Sequence, residues 1–260
     1  MTIYSVAPSP LVAMLTVWDK TSGTWINIIT VLLGTLLGVS IRGRLPQIIQ
    51  QVITQGLGLF TLFLGFTLAS SMLKAKAGPI DGIILGLLAM VVGGVIGESL
   101  NLEAQLTNLG DWLKDRCRGT GRFTEGFVIS SLLFCIGPIT IVGCLNNGLS
   151  GNSNLLTVKA VMDGFASIAF SSIYGIGVGF SIVPILIYQG GLSLFAGLLA
   201  QSLPDPTIDP RVHLVSGVGG LMVVGIGLNL LEVARLRVSS FLPALILGPV
   251  LFAIAQMITG

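Results

Sequence analysis

Apolar residues run through this chain in long blocks, and the interruptions between blocks are short and polar. A helix that crosses a bilayer needs about 20 predominantly apolar residues. On that measure the pattern predicts eight helices, at 24–41, 52–73, 80–97, 126–147, 158–177, 180–201, 213–233 and 238–258. The stretch 160–203 carries a single charge, Asp163, and is too long for one crossing. The glycines of Gly175-Ile176-Gly177-Val178-Gly179 divide it in two. Were that joint a continuous kinked helix, the count would be seven.

One extended polar segment stands apart, "ESLNLEAQLTNLGDWLKDRCRGTGRFTE" at 98–125. Leu102, Leu106, Leu109 and Leu113 recur there at helical spacing between acids and amides, which predicts an amphipathic helix lying on the cytoplasmic membrane surface as a linker. Residues 1–22 read as an interfacial lead-in to a single transmembrane domain over 23–260, with Trp18 and Trp25 as anchors at the membrane boundary. No basic residue precedes the mildly apolar 9–18, so a cleaved signal peptide has little support.

The fourth block contains a contradiction. Its centre, "LLFCIGPITIVG" at 132–143, is apolar enough to be buried, yet holds Gly137 and Pro138. Proline has no backbone N–H and collides with the carbonyl one turn earlier, near Phe134, so the span is expected to kink or break at membrane depth. The freed carbonyls then need a neighbouring helix, water or a cation. A polar run follows, with Asn146, Asn147, Asn152 and Asn154 at a connector. Lys159 and Asp163 come next, four residues apart on one helix face. That pair can neutralise itself and anchor the helix. Alternatively, Asp163 is a membrane carboxylate that binds a cation or proton while Lys159 holds its charge state. Gln55, Gln189, Asn229, Asn27 and Glu98 are further polar positions in or beside spans, where hydrogen bonding between helices is the competing role.

Composition narrows the class. The 260 residues are 53% hydrophobic and 9% charged, with a mean hydropathy of +0.95, as in an all-α polytopic integral membrane bundle. A net charge of +2 offers no face for nucleic acid. Cys117, Cys135 and Cys144 make neither a disulfide framework nor a metal set, and the lone His213, placed in a Pro- and Asp-containing loop, argues against a histidine metal site or triad. Gly-x-Ser-x-Gly, His-Glu-x-x-His and paired carboxylates are absent from the sequence, so neither an enzyme nor a cofactor is expected.

Arg42, Arg44, Lys114, Arg116, Arg118, Arg122, Arg235 and Arg237 fall on one side of the predicted spans, against Lys20, Lys74, Lys76, Lys159 and Arg211 on the other, which favours the first side as cytoplasmic. An internal repeat is also legible. The stretch 55–73 resembles 216–234, with Gly56 and Gly58 matching Gly217 and Gly219, and Gly86 matches Gly248 about thirty residues on. The copies stand five helices apart, an odd number, so they would be inverted. Gly34 and Gly38, Gly82 and Gly86, and Gly93 and Gly97 stand four apart, the spacing for close helix packing. Those faces could join a homodimer or be used within one chain.

The motifs "QGLGLF" (55–60), "LLFCIGPITIVG" (132–143), "NGLSGNSNLL" (147–156), "KAVMDGFASIA" (159–169) and "GIGLNLL" (225–231) resemble those of the bacterial YqgA/YdfK membrane proteins, catalogued as a domain of unknown function. The likeness runs from about residue 23 to 250. Asn147 stands where members of that family often carry an acid. The resemblance implies a multi-pass protein of the bacterial inner membrane and supplies no substrate.

The residues favour a secondary transporter or channel for a small solute or cation, working by alternating access. Its site would lie near the bilayer midplane at Gly137, Pro138, Lys159 and Asp163, with Asn146, Asn147, Gln55, Gln189 and Asn229 as further ligand candidates. A non-catalytic membrane scaffold or assembly factor is the alternative.

Overall fold

The computed structural model describes residues 16–42, 46–119, 121–136, 138–196 and 208–259. Helix α1 spans Val17–Arg42, about two turns earlier than hydropathy predicts. Its start is set by Thr16 and Asp19, which cap each other: the Thr16 hydroxyl donates to Asp19 Oδ2 at 2.7 Å and accepts from the Asp19 N–H at 3.2 Å. Trp18 and Trp25 therefore stand on the first turns of α1, their rings stacked 5.7 Å apart. Residues 1–15 of the expected lead-in lie outside the described residues.

Helix α2 (Gln47–Ala69) ends in a 3-10 turn, Ser70–Lys74. A two-stranded hairpin, Lys76–Ala77 against Ile80–Asp81, turns the chain into α3 (Gly82–Ser99). The amphipathic helix follows as α4 (Leu102–Arg116), docked through Gly110 on Thr124 and Phe127. Leu109 and Trp112 remain exposed on it. The block with the breaker forms two helices, α5 (Phe123–Cys135) and α6 (Pro138–Ser150), inclined by 64°. Next come α7 (Asn154–Tyr174), α8 (Ile176–Leu194) and α9 (Pro210–Leu230). A 3-10 turn at Val238–Phe241 leads into α10 (Leu242–Thr259). His213, expected in a loop, lies instead on the first turns of α9, because Asp209 caps that helix by accepting from the Arg211 N–H at 2.8 Å.

Burial is inverted relative to a protein folded in water. Helix α1 turns Thr21, Thr24, Asn27, Gly34, Thr35 and Gly38 inward and leaves Ile29, Leu32, Leu33, Leu36 and Leu37 exposed. Lipid gives leucine no reason to hide, so close contact falls to small residues and to polar groups that need partners.

Three tight helix pairs, each seated on glycine, fix the topology. Along α1 and α7, Gly23 meets Leu156, Gly34 meets Gly164 and Ser167, and Gly38 meets Ser171. Both sequences advance together, so the pair is parallel. Along α2 and α9, Gly58 meets Leu231 and Gly65 meets Val224 and Gly220, an antiparallel register. Gly93 and Gly97 of α3 meet Ala244 and Ser240, also antiparallel. A parallel α1 and α7 must be an even number of crossings apart. That condition holds when α5 and α6 together cross once; a re-entrant hairpin would leave α7 antiparallel to α1. Among the described residues the chain thus has eight candidate crossings, seven long helices and the bent pair.

Gly175 settles the other uncertain joint. Its φ of +83° ends α7 in a conformation that only glycine adopts cheaply, and α8 turns back as a separate span. The two sequence copies pack against each other in opposite directions, α2 on α9 and α3 on α10. One end of the bundle gathers Arg42, Lys114, Arg116, Arg118, Arg122, Arg235 and Arg237, and the other holds Lys20, Lys74, Lys76 and Arg211. Arg44 and the C-terminal part of the predicted 180–201 span lie outside the described residues.

Candidate functional site

Helix α5 stops at Cys135, and Ile136 is extended at ψ 131°. Pro138 opens α6 without an N–H to offer, so the Phe134 carbonyl has no amide from its own helix. Lys159 takes it instead: Nζ donates to Phe134 O at 2.6 Å. The same ammonium is bonded to Asp163 Oδ2, four residues along α7. Asp163 lies nine residues from the start of α7 and eleven from its end, about 14 Å and about 16 Å at 1.5 Å per residue. It therefore stands near the middle of the span, and its side chain is 12% exposed against 9% for Lys159.

Two amides complete the layer. Asn27 of α1 donates through Nδ2 to Asp163 Oδ2 at 2.9 Å and to Gln189 Oε1 of α8 at 3.2 Å. Both are fully buried. Gln189 is placed by an irregular helix: α8 winds as 3-10 over Ile176–Ser181 and opens into a π-helical stretch over Leu186–Gly190. Such π segments re-aim side chains and recur at functional sites.

In and beside this layer Asn27 Oδ1, Gln189 Nε2 and the Thr24 hydroxyl one turn before Asn27 are buried with no hydrogen-bond partner, while the Ser193 hydroxyl one turn after Gln189 lies beside the Cys144 thiol. Buried polar atoms are normally paired, so each unpartnered one here is an open donor or acceptor that a bound group could meet. The α5 C-terminus adds the negative end of its dipole, aimed at the Lys159 ammonium.

Two hollows approach the layer from opposite ends. At the arginine-rich end, a cavity of about 430 Å³ lies beneath α4, rimmed by Glu103, Asp111, Lys114, Arg122 and Glu125 and reaching down to Leu132 and Ile226. Leu132 is two residues from Phe134 and packs with it, Ile173 and Ile226 in the apolar core that closes the floor. Nearer the other end, an apolar groove of about 540 Å³ runs between Trp18, Trp25, Ile187 and Leu194 and is bordered by Gly190, beside Gln189.

The remaining predicted positions serve elsewhere. Asn147 is fully buried but saturated, donating to Asp19 O at 2.9 Å and Ser22 Oγ at 3.0 Å and accepting from the Gly23 N–H at 2.9 Å, so it pins α6 to the start of α1. Asn146 is exposed near the end of α6, about 12 Å along the helix from Pro138. Asn229 closes the turn after α9 through two 2.8 Å bonds with the Leu236 backbone. Gln55 lines a surface hollow with Gln51 and Glu232 at the arginine-rich end. Glu98 is bonded to Arg237 and to Ser240. Gly137 and the Pro138 side chain lie outside the described residues. Of the sequence candidates, Lys159, Asp163, Asn27 and Gln189 come together. Thr24 and Ser193 lie buried one helical turn from Asn27 and Gln189 and carry no sequence signal, since hydroxyls are common in apolar helices. Among the described residues no group of three or more His, Cys, Asp or Glu could hold a metal ion.

A bundle of eight candidate crossings, one of them broken at mid-depth around an ion pair, defines a polytopic helical membrane protein with a polar core layer. Over residues 22–253 the chain matches the model of the family described as protein of unknown function DUF554, and it belongs to that family. It is similar to the uncharacterised protein YqgA of Escherichia coli (strain K12), at 30% identity over 233 residues, covering 87% of this chain and 94% of the relative. It is also similar to the uncharacterised membrane protein YdfK of Bacillus subtilis (strain 168), at 25% identity, covering 88% and 94%. No solved structure matches it.

Proposed function

We propose that this protein is a secondary transporter or channel for a small solute or ion in the bacterial inner membrane, with its site in the layer of Asp163, Lys159, Asn27 and Gln189. One observation carries the reading: a helix is broken at mid-membrane, and its freed Phe134 carbonyl is held by a lysine that also holds the buried Asp163. Broken helices facing an intramembrane carboxylate are the usual construction of a transporter site, and charges are costly enough there to mark function. The arginine-rich end faces the cytoplasm in this reading.

The cavity beneath α4 is the vestibule of one access state, closed by Leu132, Phe134 and Ile226. Opening toward it requires α5 to move against α9, and the bend between α5 and α6 is the joint at which it does so. Movement toward the other end frees the layer past Thr24 and Ser193, along α6 and the π segment of α8. Purified full-length protein in liposomes, screened for flux of monovalent and divalent ions, amino acids and small organic acids against protein-free vesicles, tests the proposal. Saturable flux of at least one solute is expected. Flux no higher than in empty vesicles for every solute, under both an imposed proton gradient and an imposed sodium gradient, argues against it.

A further inference from the structure

The Lys159 ammonium sits in a position that is unusual for a structural lysine. It is bound to one carboxylate oxygen, Asp163 Oδ2, and one backbone carbonyl oxygen, Phe134 O, the latter released by a proline and lying at the negative end of α5. Two further oxygens have no partner, Asn27 Oδ1 in the same layer and Thr24 Oγ1 one helical turn before it on α1. A carboxylate, a freed carbonyl, an amide oxygen and a hydroxyl are hard oxygen donors of the kind that bind sodium, potassium or an ammonium group, and a single carboxylate balances a single positive charge.

We propose that Lys159 is a tethered cation occupying a monovalent-cation site, and that the cargo or coupling species is a monovalent cation which displaces it from Asp163 and the Phe134 carbonyl. This rests on the transport reading for its purpose, although the site itself does not depend on it. Lysine suits the role because its charge is compact and its four-carbon stem is flexible, so the head can leave while the stem stays in place. When the cation enters, Asp163 remains neutralised. The displaced ammonium needs new acceptors, and the Gln189 Oε1 and Ser193 hydroxyl oxygens lie along α8 on the side away from the apolar floor. In the occupied state Asn27 turns its oxygen toward the ion and its N–H₂ toward Gln189 Oε1, a rotation that costs it one bond, to Asp163, and satisfies the atom now left over. Asp163 keeps one bonded cation in both states, so entry of the ion never leaves an unpaired carboxylate at mid-membrane.

The test compares wild type, Lys159→Met and the double variant Lys159→Met/Asp163→Asn as full-length protein in detergent. Thermal unfolding is followed by tryptophan fluorescence in sodium, potassium or methylammonium chloride, with choline chloride at equal ionic strength as the control. Lys159→Met leaves the carboxylate without its built-in counter-ion, so at least one of the three cations stabilises it with a midpoint about tenfold lower than for wild type. The double variant lacks the carboxylate and shows no such response. Should Lys159→Met fail to fold in choline while the double variant folds, the same cation restores a monodisperse protein. Lys159→Met that is as indifferent to the three cations as the double variant, whether folded or unfolded, overturns the proposal. Flux separates the two readings. Wild-type flux with a cation-insensitive Lys159→Met leaves the transporter standing without a tethered cation. A cation-sensitive Lys159→Met with no wild-type flux leaves the cation site standing without transport.

Discussion

Replacing Asp163 by Asn is the most informative single change to the stability of the bundle. It keeps the side-chain volume and one oxygen, but leaves the Lys159 ammonium at mid-membrane without a counter-charge, held only by neutral acceptors. Both side chains are nearly enclosed, at 9% and 12% exposure, so solvent screening does not soften the loss. Breaking a buried pair by removing one partner costs about 3–5 kcal/mol, whereas removing both for residues of similar volume is close to neutral. For a chain of this size each kcal/mol shifts the melting temperature by roughly 2–4 °C, so Asp163→Asn should melt on the order of 10 °C below wild type. The double variant Lys159→Met/Asp163→Asn should recover most of that difference. Thermal and SDS unfolding of the four members of the cycle give the coupling directly, expected at about 2 kcal/mol or more. Additive single effects, or an Asp163→Asn protein within about 1 kcal/mol of wild type, would refute the claim that this pair is a buried charge-balanced unit.

Three further outcomes follow from the packing. Gly34→Val places a branched side chain against the Gly164 carbonyl at the α1–α7 contact and should cost about 3 kcal/mol or more, read as loss of monodisperse protein in detergent, while Gly56→Ala, where space is open, should be tolerated. Asn147→Ala removes one buried and two partly buried bonds and should lower stability by about 2 kcal/mol while leaving the cation response of Lys159→Met intact, because Asn147 is a pin and not a ligand. Burial raises the Asp209 carboxyl, but the hydrogen bonds from the Arg211 side chain and backbone outweigh it and leave it below the usual carboxylate range. A depressed pKa stabilises the folded state above the unfolded value of about 4 and loses that contribution as pH falls further, so the melting curves of wild type and Asp209→Asn should converge below that pH.

Much of the membrane architecture is legible in the sequence. Hydropathy places the spans, Pro138 marks the break and the orphaned carbonyl near Phe134, and the four-residue spacing of Lys159 and Asp163 puts both on one face. The glycine pairs turn out to be spent inside the chain, on α7, α10 and Met72. What the sequence does not separate is one buried amide from another. Asn27, Gln189, Asn229 and Asn146 all sit in apolar surroundings, yet the first two meet Asp163 while Asn229 closes a turn and Asn146 faces outward. The partners of Asn27 are 136 and 162 residues away, and only the close packing of α1 on α7 and α8 brings them within reach. The start of α1 is a different case: the Thr16 and Asp19 capping pair encodes it locally, but hydropathy places the start later because Asp19 and Lys20 are charged.

The central claim is that the Asp163 layer is where cargo meets the protein. The direct measurement is solute flux in proteoliposomes carrying equal amounts of folded wild type, Asp163→Asn and Asp81→Asn, the last altering only an exposed pair with Lys76 in the hairpin. Flux that falls to the empty-vesicle level in Asp163→Asn and stays near wild type in Asp81→Asn is the predicted result; wild-type flux undiminished in folded Asp163→Asn would contradict the account.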